Sequence, residues 1–162
     1  MQQKEIANSP DVADVSAVPA AGRIIAIDPG TKRCGIAVCD ELRVTTRPLQ
    51  VIHRTSWKKL LSNVKDLISE YDAKALVLGL PLESDGSESE MSQEARRMAR
   101  NFALSLEVPV VLQDERVTSY EAKSRLWERR VDTNKNRGLV DSEAAAIILA
   151  DLIDRLSSLP RS

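Results

Sequence analysis

Three acidic residues stand where a stretch of regular structure should begin or end. Asp28 closes the apolar run Arg23–Ile27 (RIIAI) and precedes Pro29-Gly30, Glu115 follows the apolar stretch from Val110 to Gln113, and Asp141 stands just before the apolar stretch from Ala144 to Leu156. Such positions suit a functional site, because a rigid element ends there and its last side chains reach solvent. Carboxylates alone are enough for one chemistry. Magnesium takes hard oxygen ligands in octahedral geometry and keeps several waters, so a few acids converging on an open cleft can hold it. Two such ions about 4 Å apart can activate a water and stabilise the leaving oxygen of a phosphodiester. Each acid also has an ordinary reading: an Asp before Pro-Gly as a turn residue, an Asp opening a helix as its N-cap, and Asp114-Glu115-Arg116 as a surface ion pair. Only the three together point to a metal.

The rest of the chain offers few competing chemistries. His53 is the single histidine and has no partner motif, which fits a structural or surface role. Cys34 and Cys39 fall on one expected strand at odd spacing, so their side chains leave opposite faces and cannot pair with each other. With no CxxC pair or His/Cys cluster, they read as small core residues of a reduced compartment. A formal net charge of -1 excludes a protein that coats nucleic acid by bulk charge. The basic residues are nevertheless clustered. Lys32 and Arg33 follow the first turn and Arg116 follows Glu115, while Lys123, Arg125, Arg129, Arg130, Lys135 and Arg137 outnumber the intervening acids Glu121, Glu128 and Asp132. That segment is either a solvated helix face or a phosphate-contacting patch. Trp127 within it could stack on a base, but packing of a helix against the core suits it better.

The elements that must position these residues follow from periodicity and punctuation. Arg23 to Ile27, Cys34 to Cys39 and the stretch around Val44 to Ile52 are too closely spaced for crossover helices, so they should form an antiparallel meander, with Asp28 ending its middle strand. Trp57, Leu60, Leu61, Val64, Leu67 and Ile68 recur at helical spacing behind Ser56 as N-cap. Ala75 to Leu80 (ALVLGL) reads as a buried strand, closed by Pro81 and a loop containing Asp85-Gly86. A second helix carries Met91, Ala95, Met98, Ala99, Phe102 and Leu106 on one side and ends before Pro109, and a fifth strand runs from Val110 to Gln113. Thr118 to Glu121 has the spacing of a capping box opening a short helix with Trp127, Asn134 to Gly138 reads as a loop, and a largely buried last helix begins near Asp141. Strands four and five, each preceded by a helix, should join the sheet in parallel by right-handed crossovers, giving a mixed five-stranded sheet with helices on both faces and strands one and five near one another.

At 162 residues, with 43% hydrophobic and 29% charged residues, the chain suits one globular domain. Met1 to Ala21 lacks helical or strand periodicity and is expected to be a flexible tail, leaving a domain over 22–159. The apolar stretches fall far short of the roughly 20 residues of a membrane helix, and the polar start of the chain lacks the apolar core of a secretory signal, so a cytoplasmic location without a membrane is expected.

Four motifs in order carry a resemblance. They are Ala26 to Val38 (AIDPGTKRCGIAV), Gly79 to Leu82 (GLPL) with Asp85-Gly86, Asp114 to Thr118 (DERVT) with Glu121-Ala122, and Val140-Asp141-Ser142 with Ala144-Ala145. From about Gly22 to Leu156 the chain resembles the YqgF/RuvX family of Holliday junction resolvases and pre-16S rRNA nucleases. The resemblance implies a ribonuclease H-like fold and a metal-dependent nuclease of structured nucleic acid, using Mg2+ or Mn2+, with Asp28, Glu115 and Asp141 as catalytic metal ligands. Which of Asp114 and Glu115 faces the metal depends on strand register. The chain departs from the family pattern in its N-terminal tail and in Glu83-Ser84, where the family more often has Asn-Met, and neither touches the proposed ligands.

Resolving a four-way DNA junction calls for two symmetric sites, hence a homodimer, whereas trimming a ribosomal RNA precursor can be done by a monomer. Two other classes compete. The Asp28-Pro29-Gly30-Thr31 turn occurs in nucleotide-binding phosphotransferases of the actin and sugar-kinase type, but those use two related domains and this chain shows no second copy of the turn. A non-catalytic nucleic-acid- or ribosome-associated module with the same fold is the alternative that remains.

Overall fold

The computed structural model describes residues 12–115 and 137–160, without the side chains of residues 137–141. Ile24–Asp28 (β1), Arg33–Cys39 (β2) and Thr46–His53 (β3) form the expected antiparallel meander. Ala75–Leu80 (β4) pairs in parallel with β1, and Val110–Asp114 (β5) pairs in parallel with β4. The strand order is β3-β2-β1-β4-β5. This corrects one expectation: the middle strand of the meander is β2, while β1 is the middle strand of the whole sheet. β1 and β5 lie near one another as expected, with β4 alone between them.

Helices cover both faces, as the pattern of apolar residues requires. Trp57–Tyr71 (α1) starts at Ser56, whose side chain accepts a hydrogen bond from the Lys59 amide, and stops at Asp72, which takes a left-handed φ of 50°. Glu90–Ser105 (α2) starts with a capping box between Ser89 and Ser92. Leu60 and Val64 of α1 and Ala95, Met98, Ala99 and Phe102 of α2 pack on Ile25, Ile27, Ile36, Leu76, Leu78 and Leu112 of one sheet face. Trp57 closes this layer over Phe102, with ring centroids 4.7 Å apart. Met91, expected on the apolar side of α2, is instead 50% exposed; the inward position is taken by Ser92, which is buried by its role in the cap.

The last described helix, Arg137–Ser157 (α3), covers the opposite face. Its Ala145, Ile148, Leu149 and Leu152 lie on Ile24, Ala26, Ala37, Ala75, Val77 and Val111. Cys34 and Cys39 belong to the two different layers, as their odd spacing predicts, and both are free thiols. The helix begins earlier than expected: Arg137 and Gly138, which read as loop in the sequence, already belong to it. Glycine costs a helix only about 1 kcal/mol, so one such residue does not stop a helix held by so much buried surface.

Residues 12–21, expected to be part of a flexible tail, pack on the sheet. The Ala13 amide donates to the Val110 carbonyl at 2.8 Å on the edge strand β5. Val12 enters the layer of α1 and α2, whereas Val15 and Val18 enter the layer of α3. Three buried valines in so short a segment outweigh the absence of a periodic pattern. The short helix carrying Trp127 and the capping box at Thr118 lie outside the described residues.

Candidate active site

Side chains alternate along a strand, so residues two apart share a face. On β1, Ile24 and Ala26 face α3, which puts Asp28 on the same side. On β5, Val111 faces α3 and Gln113 accepts a hydrogen bond from Arg155 of that helix at 3.2 Å. Glu115, two residues further on, continues that face. Asp114 falls between them, in the row of Val110 and Leu112 on the opposite face, and is buried. Register therefore selects Glu115 over its neighbour as the partner of Asp28.

Glu115 reaches Asp28 by crossing β4. The pairing of Ile27 with Leu78 and of Gly79 with Gln113 sets Asp28, Gly79 and Gln113 at one level of the sheet. A Cβ on Gly79 would stand 2.7 Å from Oε1 of Glu115 and 2.6 Å from Cδ1 of Ile148 on α3, so Glu115 lies across the strand at its one residue without a side chain. There its carboxyl group hydrogen-bonds to that of Asp28. Burial pushes the Glu115 carboxyl above the usual range, the Asp28 hydrogen bond opposes that rise, and the Asp114 charge adds to it.

The turn after Asp28 is held from outside. Gly30 is packed so closely on the Arg33 carbonyl that no Cβ would fit. Arg54, between β3 and α1, donates through Nη1 to the Gly30 carbonyl at 2.8 Å and through its amide to the Lys32 carbonyl at 2.9 Å, and it pairs with Glu94 of α2 at 3.2 Å. Beside the turn is a cleft of about 240 Å³ lined by Asp28, Gly30, Thr31, Lys32, Arg33 and Gly35. Lys32 is exposed and Arg33 half-buried, so two of the expected phosphate-contacting residues do line the space next to the acid.

Asp141 is the fifth residue of α3 and therefore not its N-cap. The next residue fixes its place. Ser142 is fully buried, and its hydroxyl accepts a hydrogen bond from the Ile36 amide at 3.2 Å. Ile36 follows Gly35, which is paired with Asp28, so this turn of α3 is fastened over the end of β1. Among the described residues no group of three metal-ligating side chains is assembled. The side chains of Asp141 and Arg137 lie outside the described part, as do Arg116, Lys123, Arg125, Arg129, Arg130 and Lys135. Sequence reading misses the positioning roles of Gly79, Arg54 and Ser142. A glycine within ALVLGL is a usable signal of close approach; nothing marks Arg54 among the other arginines.

The mixed sheet with helices on both faces is the ribonuclease H-like fold. T. thermophilus RuvC in complex with Holliday junction substrate shares it with a TM-score of 0.55 at 15% identity, over 85% of this chain and 97% of that one. The yeast mitochondrial Holliday junction resolvase Ydc2 shares it with a TM-score of 0.52 at 13% identity, over 96% and 85%. The family model described as RuvX: Holliday junction resolvase matches residues 22–155, and the chain belongs to that family. A relative from Syntrophus aciditrophicus, named "Putative pre-16S rRNA nuclease", is 38% identical over 83% of this chain and 90% of its own length. A relative of the same name from Anaeromyxobacter sp. strain K is 40% identical over 82% and 97%. The family is one of nucleases, hydrolases of phosphodiester bonds.

Proposed function

We propose that Asp28, Glu115 and Asp141 bind Mg2+ or Mn2+ and that the protein hydrolyses phosphodiester bonds in structured nucleic acid, with precursor 16S rRNA as its substrate. The observation that carries this reading is the contact of the Asp28 and Glu115 carboxyl groups beside an open cleft. The residues present suit a hard divalent cation: the donors are oxygens only, and a cation would offset the cost of holding Glu115 charged where burial opposes it. Once bound, such a cation supplies an activated water and charge stabilisation at the phosphate. Asp28 holds it from the end of β1, Glu115 from the residue just past β5, and Asp141 from α3. Lys32 and Arg33 contact phosphates beside it, with Arg116, Lys123, Arg125, Arg129, Arg130, Lys135 and Arg137 extending the contact; such contacts position nucleic acid without reading its sequence.

The RNA substrate is supported by the names of the relatives at 38 and 40% identity. The description of the family model favours branched DNA instead, which would be cut by a homodimer. We place the protein in the cytoplasm, where both substrates occur in bacteria; no helix of the described residues is long and apolar enough to cross a membrane.

The test is cleavage of a labelled precursor 16S rRNA fragment and, separately, of a four-way DNA junction, with Mg2+, with Mn2+ and with chelator. Wild-type protein is expected to cut the RNA in a metal-dependent way, and Asp28→Asn to lose more than about 100-fold of that activity, beyond what loss of an outer partner of a ligand costs. Cleavage of the junction alone would shift the substrate to DNA. Metal-dependent cleavage surviving Asp28→Asn would overturn the site, and binding of both substrates without cleavage would leave a non-catalytic module.

A further inference from the structure

On the face under α3, β4 presents Ala75, then Val77, then Gly79. The strand thus loses its side chain at the level of Asp28, where the side chain of Glu115, the residue after β5, crosses above it. Position 79 is bordered by two groups from different elements. Measured from the place a Cβ would occupy, Oε1 and Cδ of the Glu115 carboxyl lie at 2.7 and 2.9 Å, and Cδ1 of Ile148 lies at 2.6 Å. Heavy atoms of this kind settle at about 3.5–4.0 Å. Any side chain here must therefore displace both neighbours by about 1 Å.

We propose that Gly79 is a positioning residue for the acid pair: its missing side chain opens the path by which Glu115 reaches Asp28 across the intervening strand. The proposal rests on the reading of Asp28 and Glu115 as metal ligands only for its consequence on metal binding; the crossing itself is geometric. The two neighbours differ in how they can yield. Ile148 meets the position with the end of its side chain and can be trimmed by one methyl group. Glu115 meets it with the carboxyl group itself, so a shift there moves the group that faces Asp28. A shift of about 1 Å in a catalytic group costs about 100-fold in rate.

The two contacts separate in a set of three variants: Gly79→Ala, Ile148→Val and Gly79→Ala/Ile148→Val. Ile148→Val removes Cδ1 and with it the clash against α3, leaving the clash against Glu115. The double variant is expected to melt with Ile148→Val, while its crystal structure shows Glu115 withdrawn from Asp28 and its Mn2+ affinity, measured by calorimetry, falls about 10- to 100-fold below that of Ile148→Val. Glu115 still joined to Asp28 in that crystal structure would overturn the proposal. So would recovery of Mn2+ affinity together with stability, or a double variant that does not fold, since either makes Gly79 a packing residue alone. If the wild type binds no Mn2+, the metal reading fails by itself, and the position of Glu115 in the variant structure still decides the role of Gly79.

Discussion

Glu115 and Asp114 are neighbours in the chain and occupy different faces of the sheet. Glu115 shares the α3 face with Asp28 and hydrogen-bonds to it, whereas Asp114 is buried in the row of Val110 and Leu112. Replacing Glu115 with Gln keeps its size and removes the charge a cation needs, so Glu115→Gln should lower Mn2+ affinity and abolish metal-dependent cleavage. Asp114→Asn should keep Mn2+ affinity within a few-fold of wild type, whatever it does to stability. Calorimetric titration of both variants checks this, and loss of Mn2+ binding in Asp114→Asn but not in Glu115→Gln would reverse the assignment. The sequence names the acids and leaves this choice open, because a one-residue slip of register turns every side chain to the other face. It also shows Gly79 only as part of a motif without a role. The reason is physical: what Gly79 makes room for comes from the residue after β5 and from α3, and no local pattern encodes a neighbour so far along the chain.

The strands and the first two helices are legible because each carries its own period or stop. Ala75–Leu80 is a six-residue apolar run between a helix and a proline, and α1 has both its apolar stripe and its Ser56 cap. The start of α3 reads four residues late in the sequence because Gly138 and the charged run before it look like loop. That error matters for the site. Asp141 lies inside the helix, so its position depends on how α3 is fastened to the sheet rather than on a cap. The fastening is the hydrogen bond from the Ile36 amide to the Ser142 hydroxyl, buried at both ends. In Ser142→Ala the amide loses its acceptor where water is excluded, which costs about 1–3 kcal/mol. Urea denaturation should show that loss. Ser142→Thr, which keeps the hydroxyl, should recover part of it, and an unchanged midpoint in Ser142→Ala would mean the bond contributes nothing net.

At the scale of the whole molecule, the segment before β1 joins parts that the sheet leaves separate. The Ala13 amide caps the edge strand β5 at Val110, and Val12 and Val15 pass to opposite faces around that edge, which covers backbone groups that would otherwise be open to another chain. At its other end, Arg43 in the β2–β3 turn donates to the carbonyls of Pro19 and Gly22 at 2.7 and 2.8 Å. Burial pushes the Arg155 guanidinium of α3 below its ordinary value, and the nearby Asp14 charge opposes that shift in part. The Ala13 and Arg43 contacts are at the end where β1, β4 and β5 begin. The acids are at the end where those strands finish, and the family model spans 22–155 without this segment. Stability and chemistry should therefore separate. Removing residues 1–21 exposes the surface covered by Val12, Val15 and Val18. Burial of one valine is worth about 1.5–3 kcal/mol as an upper bound, so the truncated protein should lose several kcal/mol. Its urea midpoint should fall, while at a temperature where it stays folded its Mn2+ affinity and its cleavage rate should match those of the full chain. Loss of cleavage in the folded, truncated protein would show that the segment reaches the site through α3; an unchanged urea midpoint would show that its buried valines add nothing to the fold.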